Sequence, residues 1–176
     1  EDGKIDGNYM KGVGVKLSTN FNSTEFDCHG KNCCSETLVD QKLVEYLQSI
    51  RDHFGKPINI NSGYRCPVHN KNIGGATNSR HSKGQAADIS VKGIAPAEVA
   101  KYAESIGILG IGLYETDRDG YFVHIDTRTY KSFWYGQSEQ KRETFGGAPN
   151  AWTKGMIKLY KKYGFDVLWS NYRKRI

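Results

Sequence analysis

Residues 79–88 read Ser-Arg-His-Ser-Lys-Gly-Gln-Ala-Ala-Asp, and residues 122–126 read Phe-Val-His-Ile-Asp. Imidazole nitrogens and carboxylate oxygens are good zinc ligands, and a catalytic zinc typically takes three protein ligands and leaves one position for water. Gly84 permits a tight turn between the first histidine and the aspartate, and the two alanines permit close packing there. We therefore predict one catalytic Zn²⁺ ion on three ligands: His81, Asp88 and His124.

Hydrophobic periodicity predicts the elements around this segment. Apolar residues recur at helical spacing over Ser35–Phe54, with Ser35 as the cap, which predicts a helix. Short alternating segments predict strands, and Pro96, followed eleven residues later by Gly107, delimits another helix. The further predicted elements are a strand at Pro57–Asn61, a helix at Pro96–Ile106, and a hairpin of Ile108–Tyr114 with Tyr121–Asp126 joined by the turn Glu115–Gly120.

The charge of the chain favours an anionic partner. The net charge is +6 and the isoelectric point is near 9.1, which suits nucleic acid, a membrane surface, or a wall of phosphate and carboxylate polymers. No zinc-finger, RNA-recognition or helix-turn-helix pattern is legible, so we predict no nucleic-acid partner. No apolar run approaches the roughly 18 residues of a spanning helix, so we predict no membrane span.

Composition divides the chain into three parts. Residues 1–16 are Gly-rich and polar and predict an N-terminal arm or linker. Residues 17–147 form the predicted principal domain. Residues 148–176 form a basic C-terminal extension, with a helix predicted at 151–163. The chain begins at Glu1 rather than Met, and we expect it to be a processed product or a piece of a larger polypeptide.

Short motifs occur in a recognisable order along residues 17–136. They are Ser62-Gly63-Tyr64-Arg65, His69-Asn70, Gly74-Gly75-Ala76, the Ser-x-His-x-x-Gly-x-Ala-x-Asp of residues 79–88, Gly110-Ile111-Gly112, and Phe122-Val123-His124-Ile125-Asp126. In this order they resemble the zinc D-Ala-D-Ala carboxypeptidase family. That family includes vancomycin-resistance dipeptidases, phage endolysin endopeptidases and murein endopeptidases, and it shares its fold with the hedgehog signalling domain.

The resemblance implies both a fold and a function. The implied fold is an α+β domain, with a small antiparallel sheet flanked by helices and a single zinc. The implied function is hydrolysis of peptide bonds in peptidoglycan, with an endopeptidase favoured over a carboxypeptidase. The implied setting is extracellular or facing the cell wall, within a bacterial wall enzyme or a larger phage lysin or tail polypeptide. The rival is a non-catalytic wall-binding or phage structural module that keeps the zinc fold.

The resemblance also assigns roles to individual residues. His81, Asp88 and His124 fall on the zinc-ligand positions. Arg65 falls on the arginine that binds substrate and stabilises the developing oxyanion, a task that suits a planar and permanently charged guanidinium. Ser79 either hydrogen-bonds substrate or a ligand, or caps a turn.

The general base is less clearly marked in the sequence. Many relatives carry an acid three residues before the last zinc histidine, where this chain has Tyr121. Asp126 is the leading replacement, because residues i and i+2 of a strand project from the same face, although it could instead orient a ligand. Asp119 and Glu115, in the preceding turn, are the alternatives. Of the aromatic residues, Trp134 or Tyr135 could wall the cleft.

Four cysteines suggest a structural clip. Cys28, Cys33 and Cys34 lie close in sequence, and Cys66 follows directly after Arg65. Four thiols, or three thiols and a histidine, could hold a structural zinc, and two disulfides could tie the same segments in an oxidising compartment. Free or partly paired thiols are the remaining alternative. None of the four resembles a catalytic nucleophile.

Overall fold

The computed structural model describes residues 7–116, 120–136 and 142–146. Within these ranges the chain forms ten strands and three α-helices, with two short 3₁₀ helices at Ser23–Phe26 and Arg80–Lys83. The strands are β1 Gly7–Met10, β2 Lys16–Ser18, β3 Phe21–Asn22, β4 Glu36–Val39, β5 Ile58–Ser62, β6 Ala86–Val91, β7 Gly110–Thr116, β8 Gly120–Asp126, β9 Ser132–Gly136 and β10 Arg142–Gly146. The helices are α1 Gln41–Phe54, α2 Pro67–Asn72 and α3 Pro96–Ser105.

A six-stranded sheet in the order β10-β9-β7-β8-β6-β5 is the centre of the fold. All neighbouring pairs are antiparallel except β7 and β9, which are parallel. Two further pairs, β1 with β4 and β2 with β3, are antiparallel two-stranded sheets. This arrangement confirms the predicted α+β class, with a sheet of mainly antiparallel strands.

The sheet has one apolar face, as strand alternation requires. Ala87, Ile89, Val123 and Ile125 are at most 1 % exposed and alternate along β6 and β8 with polar residues. Helix α3 packs on β6, β7 and β8, and it also contacts α1. Helix α1 buries an apolar stripe in the same core, consisting of Leu43, Val44, Leu47 and Ile50. The opposite, polar face of the sheet is therefore the one on which chemistry-bearing side chains collect.

Strand register places the predicted ligands on that polar face. Asp88 of β6 pairs with His124 of β8, which in turn pairs with Gly112 of β7. Gly112 also pairs with Trp134 of β9. These four residues form one row across four adjacent strands.

The predicted helix over Ser35–Phe54 begins later than expected. Residues 36–39 form β4, whose alternating burial is that of a strand paired on one side with β1. Helix α1 starts only at Gln41, because the Asp40 side chain accepts a hydrogen bond from the backbone N–H of Lys42 and caps it. The prediction of Ser35 as the cap was wrong. The strand at Pro57–Asn61, the helix at Pro96–Ile106 and the predicted hairpin are confirmed by β5, α3, and β7 with β8.

The N-terminal region is more structured than an arm. Gly7–Met10 pairs with β4, and the backbone N–H of Val15 donates to Ser23 Oγ at 2.9 Å, so residues 7–16 are attached to the domain. Residues 1–6, the C-terminal extension 148–176 and its predicted helix lie outside the described residues. No helix in the described part of the chain is long and apolar enough to cross a membrane.

Candidate metal centre

Three ligand atoms converge on the polar face of the sheet. Asp88 Oδ1 lies 3.0 Å from His124 Nδ1 and 3.3 Å from His81 Nε2, and the three atoms all lie within 4.8 Å of one another. Zinc binds nitrogen and carboxylate oxygen at about 2.0–2.2 Å, so tetrahedral ligands around it are separated by about 3.3 Å. This donor set therefore fits Zn²⁺.

Each ligand is held by its element. Asp88 and His124 face each other across the β6–β8 ladder. His81 belongs to the 3₁₀ helix Arg80–Lys83, which ends at Gly84 in the left-handed conformation with φ 71°. A Cβ at Gly84 would also lie 2.5 Å from the carbonyl oxygen of Leu38. The tight turn expected here thus requires glycine both for its φ and for the close approach to β4.

Hydrogen bonds orient both imidazoles. His81 Nδ1 lies 2.8 Å from the carbonyl oxygen of Gly63, so an N–H there donates to that carbonyl and leaves Nε2 for a metal. His124 Nε2 lies 2.7 Å from Asp126 Oδ2, so the proton on Nε2 is directed away and Nδ1 is left for a metal. Partners of this kind on the second ring nitrogen are typical of metal-ligating histidines.

Asp126 is the centre of a buried charged network. Its side chain is 0 % exposed, and Arg128 donates to it twice, from Nε to Oδ1 at 2.9 Å and from Nη2 to Oδ2 at 2.7 Å. The backbone N–H of Arg128 donates to Oδ1 as well, at 3.0 Å. Arg80 Nε lies 4.0 Å from the same oxygen. Both carboxylate oxygens of Asp126 are therefore occupied by protein donors.

The titration of these groups follows from burial opposed by close partners. Burial disfavours ionised Asp88, but the charge of His81 and the hydrogen bond from His124 hold its pKa well below the usual range. Burial likewise opposes the charge on Asp126, but His124 and Arg128 hold its pKa below the usual range. Burial lowers the pKa of His124, and the opposing hydrogen bonds to Asp126 and Asp88 raise it overall to about 9. Asp88 thus carries negative charge at the candidate metal position, which suits a cation, whereas the charge of Asp126 lies behind the His124 ring and pairs with Arg128.

Arg65 lies beside this centre. Its backbone N–H donates to the carbonyl oxygen of His81 at 3.1 Å, so Arg65 is fixed next to a ligand. Its Nε is buried without a hydrogen-bond partner among the described residues. A buried guanidinium nitrogen normally finds an acceptor, so Nε of Arg65 is a donor that the described residues leave unused.

Ser79 has a local structural contact. It is the N-cap of the 3₁₀ helix that carries His81, and Ser79 Oγ accepts a hydrogen bond from the backbone N–H of His81 at 3.2 Å. This contact corresponds to the predicted alternative in which Ser79 caps a turn. It fixes the backbone of the ligand His81.

Two glycines of β7 make room for the network. A Cβ at Gly110 would collide with the carboxylate of Asp126 and lie 2.5 Å from Arg128 Nε, and a Cβ at Gly112 would lie 2.5 Å from Trp134 Cε2. The Trp134 ring lies 5.1 Å from the His124 ring, centroid to centroid, and its Nε1 donates to Tyr114 Oη at 2.7 Å. The glycine pair thus lets a carboxylate and an indole lie directly over the β7 backbone.

Some of the predicted site residues are not brought together in the described part of the chain. Glu115 pairs with Tyr121 at the far end of the β7–β8 ladder. Asp119 lies outside the described residues, as do the side chains of Glu115 and Tyr135. Arg128 was missed by sequence reasoning. The available signal was its position two residues after Asp126, where a basic residue follows a strand that ends in an acid.

The four cysteines come together in a second cluster. The Sγ atoms of Cys28, Cys33, Cys34 and Cys66 lie within 4.8 Å of one another, and none of them forms a disulfide. Cys28 and Cys66 are buried, and Tyr64 packs with them. The cluster lies next to Arg65 in the chain but shares no residue with the His-Asp-His centre.

Comparison with known proteins agrees with this geometry. Residues 19–126 match the sequence profile of peptidase M15. The chain is 36 % identical over 96 residues to the peptidoglycan L,D-endopeptidase MepK of Escherichia coli strain K12, covering 51 % of each chain. It is 43 % identical over 98 residues to the zinc D-Ala-D-Ala carboxypeptidase of Streptomyces albus G, covering 52 % of this chain and 38 % of the relative.

A third relative is the probable peptidoglycan L,D-endopeptidase MepK of Haemophilus influenzae, 33 % identical over 104 residues, which cover 53 % of this chain and 54 % of the relative. The chain spans about half or less of the length of these curated relatives. The family profile covers most of the described domain and contains all three ligand positions. The chain therefore belongs to the peptidase M15 family.

Proposed function

We propose that this chain is a zinc metallopeptidase that hydrolyses peptide bonds of bacterial peptidoglycan, with endopeptidase action favoured over D,D-carboxypeptidase action. The observation that carries the proposal is the convergence of His81 Nε2, Asp88 Oδ1 and His124 Nδ1. The relatives support the substrate class, since two are named as peptidoglycan endopeptidases and one as a zinc carboxypeptidase.

The proposed site residues have two roles, metal binding and substrate binding. A zinc ion supplies Lewis acidity, which lowers the pKa of a bound water to about 7 and polarises a substrate carbonyl. His81, Asp88 and His124 would hold that ion in one geometry, because each is fixed by a strand ladder or a hydrogen bond. Arg65 would bind the substrate oxygen on which negative charge develops, since its guanidinium stays charged and offers a fork of donors.

Asp126 is better suited to positioning than to proton transfer. Its carboxylate accepts from His124 Nε2 on the side of the ring opposite the metal-facing Nδ1, and Arg128 occupies both oxygens. A general base must lie within hydrogen-bond reach of the proton it accepts. We propose that Asp126 orients His124, which leaves Asp119, between β7 and β8 in the chain, and Glu115, near the end of β7, as the alternative candidates for the base.

Trp134 is proposed as one wall of the cleft. Its ring lies beside His124, and Arg128 Cζ lies 4.9 Å from the ring centroid on the Asp126 side. An indole held this way, only 3 % exposed, would shield His124 from water. The proposed setting follows from the substrate class: an extracellular or wall-facing position, in a bacterial wall enzyme or a phage lysin.

The test uses zinc-loaded chain and purified peptidoglycan of several defined chemotypes. Mass spectrometry of the released fragments should show new amino groups, and the fragment masses identify the bond: free D-Ala indicates a carboxypeptidase, whereas cleaved stem or cross-bridge peptides indicate an endopeptidase. The double variant His81→Ala/His124→Ala should release nothing. His53→Ala is the matched control, because His53 is exposed and stacks on Tyr102 away from the centre.

One result would overturn the proposal. If the wild-type chain binds zinc and sediments with peptidoglycan but releases no fragment from any chemotype, the fold serves as a wall-binding module. Lysis of intact cells by protein added from outside would support the phage-lysin setting, and cleavage of purified peptidoglycan alone would support a wall-remodelling enzyme.

A further inference from the structure

The cysteine cluster joins two separate segments of the chain. Cys28, Cys33 and Cys34 lie on the loop between the 3₁₀ helix Ser23–Phe26 and β4, and Cys66 lies at the N-cap of α2. Cys28 Sγ lies 3.8 Å from Cys33 Sγ, and Cys33 Sγ lies 3.9 Å from Cys34 Sγ. All four sulfurs lie within 4.8 Å of one another.

These spacings are those of ligands around a metal. A disulfide brings two sulfurs to about 2.05 Å. Zinc binds thiolate sulfur at about 2.3 Å, so tetrahedral thiolates around one ion are separated by about 3.8 Å. The sulfurs of the adjacent residues Cys33 and Cys34 are at this separation, so both can bind the same ion.

Donors surround the sulfurs on the protein side. The backbone N–H of Cys66 donates to Cys28 Sγ at 3.5 Å, and the backbone N–H of His69 donates to Cys66 Sγ at 3.4 Å. Lys11 Nζ lies 3.9 Å from Cys34 Sγ and is fixed there by its hydrogen bond to the carbonyl oxygen of Gly30. Such donors stabilise thiolates and partly offset the charge of a four-thiolate site.

The loop is closely fitted around the cluster. A Cβ on Gly30 would collide with Cys33 Sγ and lie 3.0 Å from the Cβ of His69. Tyr64 and Leu38 pack against the buried cysteines. Cys28 and Cys66 are buried and Cys33 and Cys34 are half-buried, so four thiolates this close together would be unstable without a cation.

We propose that Cys28, Cys33, Cys34 and Cys66 bind a second Zn²⁺ ion in a closed, structural four-thiolate site. Soft thiolate ligands select zinc among the common divalent ions. Four protein ligands leave no open position, so this ion takes no part in hydrolysis. Binding is an exchange without redox change: four S–H protons are released to solvent and four Zn–S bonds form.

A zinc ion at this site would crosslink two segments of the chain next to Arg65. Cys66 follows Arg65 directly, and Arg65 N donates to the carbonyl oxygen of His81. The second ion would tie the Arg65 segment to the 28–34 loop and so fix the arginine relative to the His-Asp-His centre. This inference does not depend on peptidase activity.

The experiment separates the two sites by variants of the full chain. Protein is prepared under reducing conditions, loaded with Zn²⁺, freed of unbound metal, and assayed for zinc and protein. The wild-type chain should carry two zinc ions, and His81→Ala/His124→Ala should carry one. Cys33→Ser/Cys34→Ser should also carry one, held by the His-Asp-His centre. His29→Ala is the matched control for the loop and should keep two, because His29 is exposed and is not part of the cluster.

Cobalt substitution gives a readout independent of zinc counting. Co²⁺ loaded into His81→Ala/His124→Ala should give intense sulfur-to-cobalt charge-transfer bands and the visible spectrum of a tetrahedral four-thiolate site. Those bands should be absent from Cys33→Ser/Cys34→Ser. If the cysteine variant does not fold, the spectrum of the histidine variant still decides the question.

Two results would overturn the inference. One is a folded histidine variant that binds neither Zn²⁺ nor Co²⁺ and has four thiols reactive in the native state. The other is a chain, purified without reductant, in which denaturation exposes no free thiol and mass spectrometry finds two disulfides. Either result would exclude a thiolate metal site.

Discussion

At the scale of single residues, Asp126 is a buried carboxylate whose proposed role is to position His124 rather than to touch substrate. Burying a carboxylate costs free energy unless it is paired and hydrogen-bonded. Asp126 meets both conditions through Arg128 and His124. Its negative charge also makes the imidazole of His124 a stronger ligand, an effect known for carboxylate–histidine–metal arrangements.

The substitution Asp126→Asn tests this role. The amide can still accept from His124 Nε2, but it loses the charge that pairs with Arg128, so zinc affinity should fall by roughly 10–100-fold. Competition with a chromophoric chelator measures that affinity. Asp52→Asn, an exposed acid on α1, is the control and should leave zinc affinity unchanged. Full zinc affinity combined with lost turnover would instead identify Asp126 as the general base.

Arg65 should behave differently, because its proposed role is to bind substrate and not to hold the metal. Arg65→Ala should lower kcat by about 10²–10³, the usual cost of removing one donor to a developing oxyanion, while zinc content stays the same. Arg65→Lys should fall in between, since lysine keeps the charge but not the planar fork. Steady-state kinetics with zinc analysis checks this, with Arg51→Ala as the control. Loss of zinc in Arg65→Ala would contradict the assignment.

The sequence could predict the donor types at this scale but not their partners. His81, Asp88 and His124 stood out because the motifs around them form a specific series. Which ring nitrogen of His124 faces the metal depends on the strand register and on Asp126, so the role of that aspartate could not be read from spacing. Arg128 was missed for the same reason, since an Asp-x-Arg pair becomes bidentate only in the folded geometry.

At the scale of elements, two glycines in β7 leave space for side chains of the neighbouring strands. Gly110 and Gly112 lie on the same strand face as the site, and their missing side chains are replaced by the Asp126 carboxylate and the Trp134 indole. Ile111, between them, is 0 % exposed in the core. The strand thus keeps its apolar face while leaving open space on the other.

Gly112→Ala should therefore disturb the site wall. The new methyl group would overlap the indole of Trp134, and overpacking of this kind costs about 1–3 kcal/mol of unfolding free energy. Denaturant unfolding followed by tryptophan fluorescence measures both the loss and the displacement of the ring. Gly14→Ala is the control, because the atoms nearest to the added Cβ belong to the side chain of Asn22, 3.0 Å or more away. Equal stability of the two variants would contradict the close packing.

The cap of α1 links a helix to the site strand. Asp40 Oδ1 accepts from Lys42 N at 2.9 Å, and Asp40 Oδ2 accepts from Thr127 Oγ1 at 3.1 Å, directly after Asp126. Asp40→Ala should cost about 0.5–2 kcal/mol through the lost cap, and Asp40→Asn should recover most of it. Thermal unfolding of both variants measures this. A larger loss in Asp40→Asn than in Asp40→Ala would argue against capping.

The spacing of apolar residues predicted these elements well where a segment has a single helical or strand period. The spacing of Leu43, Val44, Leu47 and Ile50 is helical, and α1 contains all four. Leu38 and Val39, just before them, continue the same helical spacing in the sequence. They nevertheless belong to β4, because that segment pairs with β1, which lies far away in the sequence. A partner strand thirty residues away is not visible in a local period.

At the scale of the whole molecule, the two faces of the central sheet differ: one belongs to the apolar core and the other to the candidate metal centre. One face packs on α1 and α3 in the apolar core, and the other carries the candidate metal ligands. None of the three candidate ligands belongs to that apolar core. Loss of an ion from the His-Asp-His centre should therefore weaken the domain without unfolding it.

Metal removal tests this expectation. Chelation should leave far-ultraviolet circular dichroism nearly unchanged but lower Tm, since an ion at 100 times its Kd adds about 2.7 kcal/mol. Titrating Zn²⁺ back should raise Tm in proportion to the logarithm of its free concentration. His81→Ala/His124→Ala should lose the part of this shift that belongs to the catalytic centre. Complete unfolding of the chelated chain would show that the core is insufficient alone.

The register row of Asp88, His124, Gly112 and Trp134 also bears on how the chain finds its fold. A slip of β8 by one residue against β6 would turn His124 and Asp126 into the apolar core and expose Val123 and Ile125. The misaligned chain would lose core burial and metal ligation at the same time. An ion held by Asp88 and His124 would therefore favour the correct strand pairing, because only that register brings both side chains together on one face.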